Sequence, residues 1–149
     1  GQYDEMIPDA ECVKITYEIL SSLDVGPFLV KVNHRQLLDG IFEVSGVPSE
    51  LFRSVCSSVD KLDKMEWVDV RKEMVDEKGL DGEAADRIGE YVRLHGGTDL
   101  VDTLLSDPKL SACSSARQGL ESMRLLLKYC GIYGCLDRVR FDLSLARGL

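Results

Sequence analysis

The chain has 149 residues, with 18 basic and 26 acidic side chains and a formal charge of −8. That length makes one domain or part of one, and 44% apolar with 30% charged residues is a globular mixture that excludes disordered and fibrous classes. No apolar run reaches the roughly 18 to 20 residues of a membrane helix, no start resembles a signal peptide, and a chain this acidic is a poor free-standing binder of nucleic acid.

In chain order, Cys12, Ile15, Ile19, Leu20 and Leu23 recur at three- and four-residue intervals after Pro8 and Asp9, which predicts an amphipathic helix from Pro8 to Leu23. Asp24-Val25-Gly26-Pro27 breaks it, and Phe28 to Val32 reads as a short buried strand. Asn33 is the expected cap of a helix over Arg35 to Val44, with Leu37, Leu38, Ile41 and Phe42 inward and Ser45-Gly46 as its stop. Three further stripes follow: Leu51 to Leu62, Trp67 to Val75 stopped at Gly79, and Ala84 to Val92 stopped by His95-Gly96-Gly97. A short helix over Asp99 to Leu105 and a longer one over Leu110 to Tyr129 complete a helical stretch; its periodicity is weakest from Ser106 to Ser122. At the end, Val139, Phe141, Leu143 and Leu145 alternate with Arg138, Arg140, Asp142 and Ser144, the period of a strand with one polar face. Two strands flanking helices imply an α+β chain, a sheet domain interrupted by a helical insert. The start at Gly1 and the stop just after an apolar run suggest an internal piece of a longer protein.

Five scattered cysteines without a C-x-x-C pair, beside two histidines, indicate neither a disulfide framework nor a metal site. Cys12 and Cys56 fall on apolar helix faces, where free cysteine acts as a small buried hydrophobe. The charge is uneven: residues 1–58 carry −5, residues 59–90 carry −5 and residues 91–149 carry +2. Asp60, Lys61, Asp63 and Lys64 read as charge pairing on an exposed helix face. His34 and His95 read as structural, His34 beside Arg35 after a strand and His95 near a helix end. No phosphate-cradling glycine loop, nucleophile elbow or zinc-helix motif is present. Arg147 stands at a strand end next to Gly148, where a guanidinium can grip a phosphate or carboxylate by two hydrogen bonds; read from sequence physics alone, a surface arginine is the favoured interpretation.

Five stretches, in order, carry a resemblance: Met6-Ile7-Pro8-Asp9-Ala10-Glu11, Val30-Lys31-Val32-Asn33-His34-Arg35, Ser57-Ser58-Val59-Asp60-Lys61-Leu62-Asp63-Lys64, Ala85-Asp86-Arg87-Ile88-Gly89 and Phe141 to Leu149. Together they resemble eukaryotic-type histidyl-tRNA synthetases. The last includes Leu145-Ala146-Arg147-Gly148-Leu149, similar to the start of that family's histidine signature, which continues Asp-Tyr-Tyr. The resemblance implies a class II catalytic domain with an antiparallel sheet, divided here into a catalytic part at 1–52, a helical insertion at 53–128 and a return strand at 129–149. It implies a ligase whose histidine carboxylate attacks the α-phosphate of ATP and which then charges tRNA(His), with Mg accompanying ATP, in a parent that is a homodimer. Arg147 matches the family's catalytic arginine, against the α-phosphate and the histidine carboxylate. The ATP-binding arginine of the second class II motif would precede this chain and the third motif would follow it, so the piece alone is expected to be inactive and to bind no cofactor. Contact of the insertion with tRNA is expected from the basic part: Arg93, Lys109, Arg117, Arg124 and Lys128. A cytoplasmic location is expected, and a mitochondrial form is the alternative. The competing reading is a non-catalytic, synthetase-derived helical interaction module.

Overall fold

The computed structural model describes residues 6–23 and 26–146. Helix α1 (Ile7–Ser22) leads into strand β1 (Val30–Val32) and helix α2 (Arg35–Ser45). A 3-10 turn (Ser49–Leu51) precedes α3 (Phe52–Asp60); α4 (Trp67–Lys72) widens into a π-helical turn at Glu73–Glu77; then come α5 (Gly82–Val92) and strand β2 (His95–Gly96). Helices α6 (Thr98–Leu105), α7 (Pro108–Ala112) and α8 (Ser114–Ile132) lead through a 3-10 turn to strand β3 (Val139–Asp142). The α+β class expected from the sequence is therefore present.

Helix α8 is the spine against which α1, α2, α6 and α7 pack, and its most extensive contact is with α2. Two glycines set that crossing. A Cβ on Gly119 of α8 would stand 2.6 Å from the Leu37 amide nitrogen, and one on Gly40 of α2 would stand 2.6 Å from the Ala116 Cβ. The helices thus meet backbone to backbone, with Leu37, Leu38, Ile41 and Phe42 of α2 and Leu120, Met123 and Leu127 of α8 filling the flanks. Buried residues from Met6 to Ala146 form one continuous cluster around this contact.

The local chemistry explains where the expected boundaries shift. His34, not Asn33, caps α2: its Nδ1 accepts from the Gln36 amide at 3.1 Å. Gly46, at φ +90°, ends α2 in the left-handed conformation that glycine tolerates. The long helix expected over Leu110 to Tyr129 is two, because Asp107 caps a short turn starting at Pro108 and Cys113 is extended before α8 begins. Lys61, expected to pair with its sequence neighbours on an exposed face, pairs instead with Glu73 of the π turn, twelve residues on. That contact, with hydrogen bonding from Ser58, holds the Glu73 carboxyl below its usual range.

The two strands read from the sequence are direct neighbours. β1 and β3 run parallel, with Val30 opposite Val139 and Val32 opposite Phe141. A third strand escaped the sequence reading: His95–Gly96, expected as a helix stop, pairs antiparallel with β3 at Asp142 and Phe141. The sheet order is β1-β3-β2, so within the described residues it is mixed, whereas the resemblance implied an antiparallel sheet. β3 also ends earlier than its alternation suggested. Asp142 turns the chain by accepting from the Ser144 amide at 2.9 Å and from its hydroxyl at 2.6 Å, so Leu143 to Leu145 leave the strand.

Helix α1 departs from the expectation most. It reaches the core through Ala10, Val13 and Tyr17, while the predicted stripe lies outside. Ile15 is 54% exposed, Ile19 51% and Leu23 63%, and Cys12, expected to be buried, is exposed too. The helix is apolar on two faces, and among the described residues only one of them is covered. Beside it, Leu29 is exposed at the start of β1, and β1 has no partner among the described strands on the side away from β3.

Two outcomes follow from this packing. Gly119→Val should cost about 1–3 kcal/mol by overpacking the α2/α8 contact, read as a lower urea midpoint at an unchanged slope. The 149-residue chain should self-associate as its concentration rises, because it carries an apolar helix face and a strand edge that no described strand covers. Replacing Ile15 and Ile19 together by Lys should shift its sedimentation toward the monomer; an unchanged profile would place association elsewhere.

Candidate functional site

The stretch leading to Arg147 is held from three sides. β3 lies between the other two strands, and Asp142 at its end is buried, with Lys31 Nζ at 3.8 Å and an Arg140 nitrogen at 3.9 Å. Two cations and the Ser144 hydrogen bonds offset the cost of burying that carboxylate. Within the turn, the Leu143 amide donates to the Leu94 carbonyl at 3.1 Å. Asn33, just past β1, donates from Nδ2 to the Leu145 carbonyl at 3.0 Å, and the Cys56 thiol of α3 approaches the Ala146 carbonyl at 3.8 Å. Burial pushes the Cys56 thiol upward, with Arg35 opposing, so it stays protonated and serves as a packing and donor group. Arg147 itself, with Gly148 and Leu149, lies outside the described residues.

Two cavities flank this stretch. The larger, about 400 Å³, sits between α1 and the end of β1, with Met6, Val13 and Leu145 among its apolar walls and Asp9, Asn33, His34 and Arg35 among its polar ones. The Oδ1 of Asn33 is buried there and accepts from no donor among the described residues. The smaller, about 240 Å³, is lined by Arg35, Arg53, Cys56, Ser57, Asp60 and Ala146. Arginines beside a backbone held by hydrogen bonds suit an anionic group. Among the described residues no group of three or more His, Cys, Asp or Glu side chains could hold a metal ion.

The five residues expected to touch RNA do not form one cluster. Arg124 and Lys128 follow Arg117 by seven and eleven residues on one exposed face of α8, with Glu121 between Arg117 and Arg124. Arg124 is engaged with Asp102 of α6 at 2.9 Å, and Lys109 is exposed on α7. Arg93 stands apart: its guanidinium lies 5.5 Å from the Trp67 ring centre and its Nε donates to the Gly89 carbonyl at 2.9 Å. Gly89 admits the indole, since a Cβ there would collide with the ring. The sequence reading missed Arg53 and the anchoring role of Asn33. Neither falls in a spacing that signals a site; the asparagine was readable only as a helix cap.

The sequence profile described as histidyl-tRNA synthetase matches residues 3–149. The chain belongs to the histidyl-tRNA synthetase family. It is 60% identical to the cytoplasmic histidine–tRNA ligase of Mesocricetus auratus and 58% identical to the mitochondrial one of Homo sapiens, over all of its length and 29% of theirs. The chain thus spans under a third of those synthetases. The crystal structure of histidyl-tRNA synthetase from Nostoc sp. PCC 7120 superposes with a TM-score of 0.88 at 25% identity, covering 99% of this chain and 35% of that one. A structure from Bacillus halodurans C, titled an ATP phosphoribosyltransferase regulatory subunit/histidyl-tRNA synthetase, shares the fold at a TM-score of 0.73 and 18% identity. The named relatives include cytoplasmic and mitochondrial forms, and no described helix is long and apolar enough to cross a membrane.

If Asn33 is what fixes the approach to Arg147, Asn33→Leu should destabilise the chain by about 1–3 kcal/mol through the orphaned Leu145 carbonyl, measured as a lower urea midpoint. An unchanged midpoint would show that this carbonyl finds another donor.

Proposed function

We propose that this chain is the part of a histidine–tRNA ligase that carries the family's catalytic arginine. The parent would activate histidine with ATP and pass it to tRNA(His) for protein synthesis. The observation that carries this reading is identity of 58 to 60% along the whole chain with proteins named histidine–tRNA ligase. The division into catalytic parts at 1–52 and 129–149 around an insertion at 53–128 is supported by β1 and β3, which meet side by side although the insertion separates them in sequence. The parent is read as a homodimer from the family resemblance.

In this reading Arg147 supplies fixed positive charge where the histidine carboxylate attacks the α-phosphate and negative charge gathers on its oxygens. A positive group already in place needs no reorganisation as the reaction proceeds, which is why such contacts contribute strongly to rate. What the described residues contribute is support: Asn33 and Cys56 hold the two carbonyls before Arg147, and the paired, buried Asp142 fixes the turn. Mg would accompany ATP in the parent, and among the described residues of this chain no group of three or more His, Cys, Asp or Glu side chains could hold it. For tRNA, the exposed stripe of Arg117, Arg124 and Lys128, with Lys109 and Arg93, is the proposed contact. Its strength is tempered at Arg124 by Asp102.

The test uses the full-length parent. Arg147→Ala should lower histidine-dependent ATP–pyrophosphate exchange about 100- to 1,000-fold, with a folded, normally melting protein. Exchange at the unaltered rate would overturn the catalytic assignment.

A further inference from the structure

The smaller cavity beside Ala146 differs from most of the charged surface in setting two arginines in a recess. Arg71, Arg87, Arg124, Arg138 and Arg140 each lie within 4 Å of a carboxylate. Arg53, exposed at the start of α3, shares with Arg93 and Arg117 the lack of an ion-pair partner among the described residues, and unlike those two it lines this concave site of about 240 Å³. Across the cavity stands Arg35, whose Nε is 3.1 Å from Asp39 of the same helix, so the guanidinium is aimed and partly neutralised. The remaining polar groups are the Ser57 hydroxyl and the Asp60 carboxylate. The wall between them is the Cys56 thiol with the Ala146 backbone, immediately before Arg147 in sequence.

We propose that this cavity binds a ribose–phosphate unit of a single-stranded RNA end, with Arg53 on the phosphate. The inference rests on the reading of the parent as a tRNA ligase, and adds a binding residue outside the basic stripe of α8. The mixture of side chains decides between phosphate sources. A triphosphate presents several negative charges in a row and would face the Asp60 carboxylate as well as the arginines. A sugar–phosphate strand alternates one anionic group with hydroxyls, which suits guanidinium groups on one side and a serine hydroxyl and a carboxylate on the other. The 2′-hydroxyl, both donor and acceptor, is the group such acceptors can read. The position fits the chemistry too, since an RNA end that is to be esterified must reach the surroundings of Arg147.

The experiment compares the full-length parent with its Arg53→Ala and Arg53→Lys variants, measuring the Kd for a tRNA(His) transcript across salt concentrations and the KM for ATP in pyrophosphate exchange. The expected result is binding weaker by about tenfold in Arg53→Ala, with the slope of log affinity against log salt shallower by about 0.7, one single-strand phosphate contact, and recovery of the slope in Arg53→Lys. Wild-type affinity and slope in a folded Arg53→Ala variant would overturn the proposal alone. A raised KM for ATP with the RNA slope intact would assign the phosphate to the nucleotide and overturn the RNA source. A wild-type parent that binds the transcript without histidine-dependent exchange would instead overturn the ligase reading while leaving the Arg53 comparison valid.

Discussion

The backbone contact between α2 and α8 is the constraint on which the rest of the structure hangs. Gly40 against Ala116 and Gly119 against Leu37 bring the two helices closer than side chains would allow. α2 begins three residues after β1, and α8 leads within seven residues to β3. Fixing one helix against the other therefore fixes where the two strands can meet. The parallel pairing of Val30–Val32 with Val139–Phe141 is a long-range contact whose closure entropy is offset by a helix crossing. The same geometry places Asn33 within reach of Leu145 and Cys56 within reach of Ala146. The approach to Arg147 is thus positioned by packing far from it, and the sheet of three short strands is a consequence of the helical scaffold as much as a cause.

Much of this was legible in the sequence, because helical period and strand alternation are both statements about which residues meet the core. The inward set of α2, Leu37, Leu38, Ile41 and Phe42, is fully buried as its spacing required. What could not be read depends on partners distant in the chain. Gly119 lies in the stretch where the helical periodicity is weakest, and its role exists only opposite Leu37. His95–Gly96 is too short to alternate, and becomes a strand only because β3 offers it an edge. Asn33 suits a cap and was expected as one; its side chain bonds instead to the Leu145 carbonyl, 112 residues away, and His34 caps the helix. The role proposed for Arg147 rests on a motif resemblance and not on its physics, since an arginine after a strand has no distinctive spacing. Arg53 offered no signal at all: its setting is made by the β1–α2 corner and the end of β3, which the sequence keeps far apart.

Charge tells a related story. A formal charge of −8 argues against RNA as a partner for the surface as a whole, yet many acids are engaged locally. Asp39, Glu73, Glu83, Asp86 and Asp102 each face a base, and Asp142 is buried between two. Such pairs contribute little to stability where exposed, but they shorten the reach of the field that a like-charged ligand would meet. The bases with no ion pair among the described residues include Arg117 and Lys128 on one face of α8 and Arg53 in the recess. Net charge describes how a protein behaves toward polyanions at a distance, whereas contact depends on which guanidinium groups are left unpaired.

The exposed face of α1 fits the same logic of partners supplied from elsewhere. A helix with Ile15, Ile19 and Leu23 in water loses the burial free energy that such residues supply, of the order of 1.5–3 kcal/mol each when fully covered. The chain nevertheless keeps a continuous core, because Ala10, Val13 and Tyr17 hold α1 to it from the other side. The matched synthetases are more than three times as long as this chain, which spans 29% of them. A helix apolar on two faces, next to a strand with one open edge, is what a segment looks like when its sequence was shaped by a sheet larger than the one it contains. The apolar stripe was therefore a correct reading of periodicity and an incorrect guess about which surface it meets: the spacing records that α1 is built to be buried, and the second covering surface belongs to no element among the described residues.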